Sequence, residues 1–171
     1  MISKTEVWQR GPIENIPALL QPVAHALLQA REEVGEIMNG FPENLLWEKP
    51  AGAASPGFHL QHITGVLDRL FTYARNESLT NGQAYTLSVE GDKDKTTQSM
   101  FQLIELFNNQ VSISIDELSK TNVETLTDVR TVGRKKIPST LIGLYFHAAE
   151  HTMRHIGQLL VTVKCLKRPP E

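Results

Sequence analysis

The chain has 171 residues, of which 40% are hydrophobic and 21% charged, with a formal net charge of −2 at pH 7. That length fits a single domain over residues 1–171 whose core needs no covalent staples, and the charge balance leaves no footprint for nucleic acid or an anionic membrane. Cys165 stands alone, which excludes an internal disulfide and points to a reducing, cytoplasmic setting; no run of 18 apolar residues exists, and MISKTEVWQR lacks the apolar stretch of a secretory signal.

Helical periodicity dominates the chain, and strand-like alternation is confined to weak signals at AYTLSVE (84–90) and VSISI (111–115). A first helix is predicted over about 16–38, where Leu19, Leu20, Val23, Leu27, Leu28, Val34 and Ile37 recur at helical spacing. Pro17 suits a first turn, whereas Pro22 must bend this helix or delay its start, and Asn39-Gly40 is a stop signal. His25 on it reads as a rim or core histidine, and Trp47 in the following connector as a plug for the end of the helices. A second helix is predicted over about 55–76, opening at Ser55-Pro56, an N-cap followed by proline at the first helical position. A third spans about 96–120, with Met100, Leu103, Ile104, Phe107, Val111, Ile115 and Leu118 on one side. A fourth spans about 139–167, after Ile137-Pro138-Ser139 and before Pro169-Pro170. Arg130, Arg134, Lys135 and Lys136 ahead of it read as a solvated loop. Four helices of this length predict an all-α four-helix bundle. The connectors 40–54, 77–95 and 121–137 exceed the roughly 2–8 residues that antiparallel neighbours need. They permit a crossover between parallel helices and can wall a pocket.

The fourth helix carries two apolar faces. Ile142, Phe146, Ala149, Met153, Ile156 and Leu160 make a broad one, and Leu141, Leu144, Ala148 and Leu159 fill a flank. A helix apolar around so much of its circumference calls for two burial partners, the core and a second copy of the chain, so a homodimer is expected. Nearly opposite the broad face stand His147, His151 and His155, each four residues apart. His147 and His155 lie about 12 Å apart along the axis, too far for one ion at about 2.0–2.1 Å from each nitrogen. A metal site must therefore combine an adjacent pair with a ligand from a facing helix. The second helix offers His59 and His62, and the position of His62 at the rim of the apolar arc favours it over His59, which sits deeper.

HAAEH (147–151) also matches H-x-x-E-H, in which Glu150 would be the base of a metalloprotease. That chemistry takes an acidic ligand tens of residues downstream, and the sole acidic residue after His151 is Glu171. H-E-x-x-H is absent, because HTMRH (151–155) has no glutamate after its first histidine, and Glu-x-x-His does not occur at Glu105 or Glu150. Protease and di-iron readings both fail.

HTMRHIGQ (151–158), with its H-x-x-x-H-x-G-Q pattern, resembles the DinB/YfiT-like superfamily of small bacterial metal-binding four-helix bundles. GFHLQHITGVLDRLFTYARNESLT (57–80) is similar to the histidine-bearing helix of that family, and VGRKKIPSTLIGLYFHAAEHT (132–152) to the lead into its last helix. The commonest form of the motif has arginine before the glycine, where this chain has Ile156. The resemblance runs from about residue 13 to 165. It implies an up-down-down-up bundle with its crossover between the second and third helices, where the 77–95 connector lies. It also implies one divalent ion held by three histidines, which carry over to His62, His151 and His155; His147 falls one turn before the matched pair. Homodimers, S-transfer and isomerisation with low-molecular-weight thiols are implied as well, beside members with no assigned reaction.

Three neutral imidazoles leave a divalent ion its full charge and open positions, which makes water or a thiol a nucleophile near neutral pH. Imidazole ligands suit zinc, nickel, copper and iron, with zinc, nickel or iron the expected ions. Arg69, two turns beyond His62, is a candidate clamp for a substrate carboxylate or else a solvated rim residue. Glu150 points away from His151 and reads as outer support or surface. Gln158, one turn past His155, is a candidate partner for a ligand or water. The expected function is a metal-dependent hydrolase or thiol S-transferase acting on a small molecule. Non-catalytic metal binding in stress or storage, or a structural dimer without metal, are the competing classes.

Overall fold

The computed structural model describes residues 5–167, so Pro169-Pro170 and Glu171 lie outside the described residues. The two prolines near the start resolve as a delayed helix. Ala18–Leu20 form one 3-10 turn, and α1 (Gln21–Met38) begins with Pro22 in its first turn, where no helical hydrogen bond is lost. Extended Asn39 and Gly40 at φ +63° end it. α2 (Pro56–Ala74) is capped as expected, the Ser55 hydroxyl accepting from the Phe58 N–H at 3.2 Å. Gly57 donates its N–H to Leu46 O at 2.8 Å, and the Trp47 ring lies where a side chain at 57 would be.

The 77–95 connector contains a short helix, α3 (Asn81–Ser88), that was not predicted. Thr80 and Gln83 form its capping box, and this local signal overrides the weak alternation at 84–90. The alternating 111–115 is likewise helical, inside α4 (Met100–Lys120). A second box, Ser99 with Gln102, sets the start of α4 four residues later than periodicity suggested. The 121–137 connector and the following three residues hold a two-stranded hairpin, β1 (Val129–Val132) and β2 (Ile137–Thr140), paired Val129 with Thr140 and Val132 with Ile137. Its turn uses Gly133 at φ +68°, and Pro138 is tolerated because a two-stranded ribbon has open edges. Arg130 is not a loop charge: its Nε donates to Ala74 O at 2.7 Å and pins the hairpin to the end of α2. α5 (Leu141–Lys167) follows directly.

The chain is thus mostly helical, with a small sheet. α5 packs against α2 and α1, and α4 packs against the same two helices. Leu27, Val34, Leu60, Leu67, Leu103, Phe107, Leu118, Ala148 and Leu159 form the fully enclosed core between them. Each large side chain buried there contributes roughly 1.5–3 kcal/mol. The broad apolar face expected on α5 is only partly buried. Ala149 and Ile156 are in the core, but Phe146 is 64% exposed and Leu160 38% exposed, while Leu144, Tyr145, Ala148, Thr152, Leu159 and Val163 also point inward. A helical wheel with two apolar faces does not say which meets the core; packing on α1 and α2 does. Among the described residues no helix is long and apolar enough to cross a membrane.

Candidate metal centre

α2 and α5 pack side by side, and their histidines meet between them. One ligand-capable atom from each of His62, His151 and His155 lies within 4.8 Å of the other two. His62 Nε2 and His151 Nε2 are 3.0 Å apart, and the His155 ring centroid is 4.4 Å from that of His62 and 4.7 Å from that of His151. Two nitrogens bound at about 2.0–2.1 Å to one ion sit roughly 3–3.4 Å from each other, so this spacing fits a shared cation.

The surroundings prepare the rings for that use. The Glu90 carboxylate accepts a hydrogen bond from His62 Nδ1 at 2.7 Å. The proton is thereby held on Nδ1, and the lone pair of Nε2 faces the other two histidines. Phe58 stacks on one face of the His62 ring, centroids 5.2 Å apart and planes 13° from parallel. His155 Nδ1 meets His59 Nδ1 at 3.0 Å, which leaves His155 Nε2 for the centre. His59 therefore supports a histidine of the cluster and is not one of its three members. Among the described residues, protein groups do not satisfy His151: its Nδ1 is buried without a partner, and its Nε2 meets another imidazole nitrogen. Burial, reinforced by the neighbouring histidines, lowers the pKa of His155 and of His59 to about 4 and lowers that of His151. The rings of His59, His151 and His155 are thus neutral at pH 7, the form that binds a metal.

The remaining candidates fall elsewhere. Arg69 is not a solvated rim residue: it is buried, and its Nη1 donates to the second Glu90 oxygen at 2.7 Å. Glu150 stands at the surface, bonded to Arg154 at 2.6 Å and to His147 at 2.8 Å. His147, Glu150 and His151 form a second set of ligand-capable atoms within 4.8 Å, on the outer side of α5. Gln158 is exposed and lines a groove of about 520 Å³ beside His59, together with Arg154 and Val161. His25 ties the N-terminal segment down through Gly11 O at 3.0 Å. Cys165 is exposed at the far end of α5. Sequence reasoning missed Glu90. It lies 28 residues from His62, at the end of a weakly alternating stretch in a connector without helical periodicity.

No curated protein matches this chain. The family model for the DinB superfamily matches residues 26–159, a stretch that includes α2, α4, all three clustered histidines and Glu90. The match spans well over half of the chain, which therefore belongs to the DinB superfamily.

Proposed function

We propose that this protein is a metal-dependent enzyme acting on a small molecule, as a hydrolase or a low-molecular-weight-thiol S-transferase. Its divalent ion, zinc, nickel or iron, is held by His62, His151 and His155. The observation that carries this reading is the convergence of three imidazoles from two helices, one of them oriented by a buried carboxylate. When bound, such an ion supplies Lewis acidity, which makes water or a thiol nucleophilic near neutral pH. Glu90 holds the proton of His62 on Nδ1, His59 engages Nδ1 of His155, and Phe58 covers one face of the His62 ring. The groove beside His59, with Arg154 and Gln158 among its lining residues, is the candidate seat for substrate.

The scaffold is an up-down-down-up four-helix bundle with its crossover between α2 and α4. Support comes from the cycle of packing α1–α5–α2–α4–α1. The chain acts in the cytoplasm as a homodimer. The exposed Phe146 and Leu160, with the half-buried Met153 between them, support a dimer, because Met153 lines an apolar hollow with Trp8, Pro22 and Ala26. Light scattering should then give twice the 19.1 kDa chain mass.

Metal analysis of protein purified without a histidine tag tests the central reading. About one divalent ion per chain is expected, lost in His151→Ala with helical content retained. Unchanged metal content in that variant rejects the site. Turnover of a substrate panel with and without thiols then separates transferase from hydrolase, and a metal-loaded protein inert to both panels is a binding protein.

A further inference from the structure

Resting on the metal-centre reading, we propose that Glu90 is a positioning residue through which docking of the crossover segment and metal occupancy stabilise each other. Phe58, Gln61, His62, Gly65 and Arg69 fall at steps of three and four along α2 and form one stripe. The Glu90-Gly91 corner of the crossover sits on that stripe. One Glu90 oxygen accepts from His62 Nδ1 and the other from Arg69 Nη1, each at 2.7 Å. The Gly91 N–H donates to Gln61 Oε1 at 2.8 Å. Gly91, at φ +80°, lies so close to Phe58 that a Cβ would stand 2.8 Å from the ring. A Cβ at Gly65 would stand 2.6 Å from Glu90 Oε1, so the bare helix backbone at 65 is the slot that admits the carboxylate. The ion pair is closed to water, with 9% of the Arg69 side chain and 5% of the Glu90 side chain exposed.

Among the described residues, little else holds this part of the crossover. α3 buries none of its residues, and the Lys93–Lys95 turn buries none either. The Gln83 side chain adds one hydrogen bond, to Thr72 Oγ1 at 2.8 Å. The corner at Glu90 is therefore both the anchor of the segment and the group that sets the tautomer and tilt of His62. A carboxylate behind a ligating histidine changes metal affinity by about 10–100-fold. Linkage makes the effect reciprocal: if docking raises affinity for the ion by some factor, the ion favours docking by the same factor. Because Glu90 reports to His62 from a segment that α2 holds by few contacts, the crossover senses whether the site is filled.

The experiment measures zinc affinity by chelator competition, and backbone hydrogen exchange over residues 81–98 with and without zinc. In the unaltered protein, zinc should slow exchange across that segment. Glu90→Ala should bind zinc about 10–100-fold more weakly, and zinc should no longer protect 81–98. Glu90→Gln, which keeps the shape and an acceptor but not the charge, should fall between the two and serves if the alanine variant does not fold. Wild-type affinity in a folded Glu90 variant overturns the inference, as does zinc-independent exchange of 81–98 in the unaltered chain. Failure of the unaltered chain to bind any divalent ion sinks the metal-centre reading itself, and this inference with it.

Discussion

Two glutamates in this protein have the same kinds of partner and opposite surroundings. Glu150 joins His147 and Arg154 on the outside of α5, at distances of 2.8 and 2.6 Å. Glu90 joins His62 and Arg69 at 2.7 Å each, but it comes from a connector and its side chain is 5% exposed. The first trio is a product of helix periodicity, since positions three and four apart on one helix face each other wherever the helix lies. Solvent screens it, and such pairs contribute about 0–1 kcal/mol. The second trio exists because a distant segment returns to α2 and finds a glycine there. Burial removes its water, so every one of its contacts has to be made by protein. The same histidine, glutamate and arginine chemistry is surface decoration in one place and the backing of a candidate metal site in the other.

Stability of the metal-free protein gives the widest separation between the trios. Glu90→Ala leaves Arg69 buried without its partner and should cost about 3–5 kcal/mol in denaturant unfolding. Glu150→Ala should cost at most about 1 kcal/mol. Equal losses would mean that the buried trio is not the anchor its geometry suggests.

Acid should act on the inner side first, because Glu150 outside titrates only below the ordinary carboxylate value. His59 and His155 have pKa values of about 4 in the folded chain against an ordinary 6.5. The unfolded chain therefore takes up more protons between those two values. Stability of the metal-free protein should be full above pH 6.5, fall steadily as pH drops toward about 4, and level off below that as far as these two groups are concerned. Thermal melts between pH 7 and 4 check this, and the His59→Gln variant should flatten the curve. A melt independent of pH over that range would show that the rings are not buried as neutral groups.

The smallest effect is expected at His147. Its side chain is 51% exposed, and its hydrogen-bond partner Glu150 is also held by Arg154. His147→Ala should change stability by no more than about 0.5 kcal/mol and should leave zinc affinity as it was. A large loss of zinc would move the candidate centre outward, to the set formed by His147, Glu150 and His151.

Legibility in the sequence followed the range of each interaction. The caps at Ser55 and Pro56, the stop at Asn39-Gly40 and the periodic core of α4 were all readable, because each is settled within a few residues. The boxes at Thr80 and Ser99 were equally local, and attention to them would have found α3 and corrected the start of α4. The hairpin was harder to see. Its strands are four residues each, and Arg130 holds it through the end of α2, a contact 56 residues away. At the site, spacing on the helix limited any ion to an adjacent histidine pair plus a third ring from another helix. The rim position of His62 favoured it over His59, and family resemblance matched the full set of His62, His151 and His155, whose nitrogens the structure gathers.

By itself, the order of residues determined the helices, because capping, proline and period act within one or two turns. It also determined that the histidines of α5 share a face, since steps of four always do. Which face of α5 meets the core, which histidine stands behind another, and that a glutamate from the 77–95 connector reaches His62 were decided by tertiary structure. Those outcomes depend on which surfaces lose their water together, and that is set by how helices pack and where connectors return.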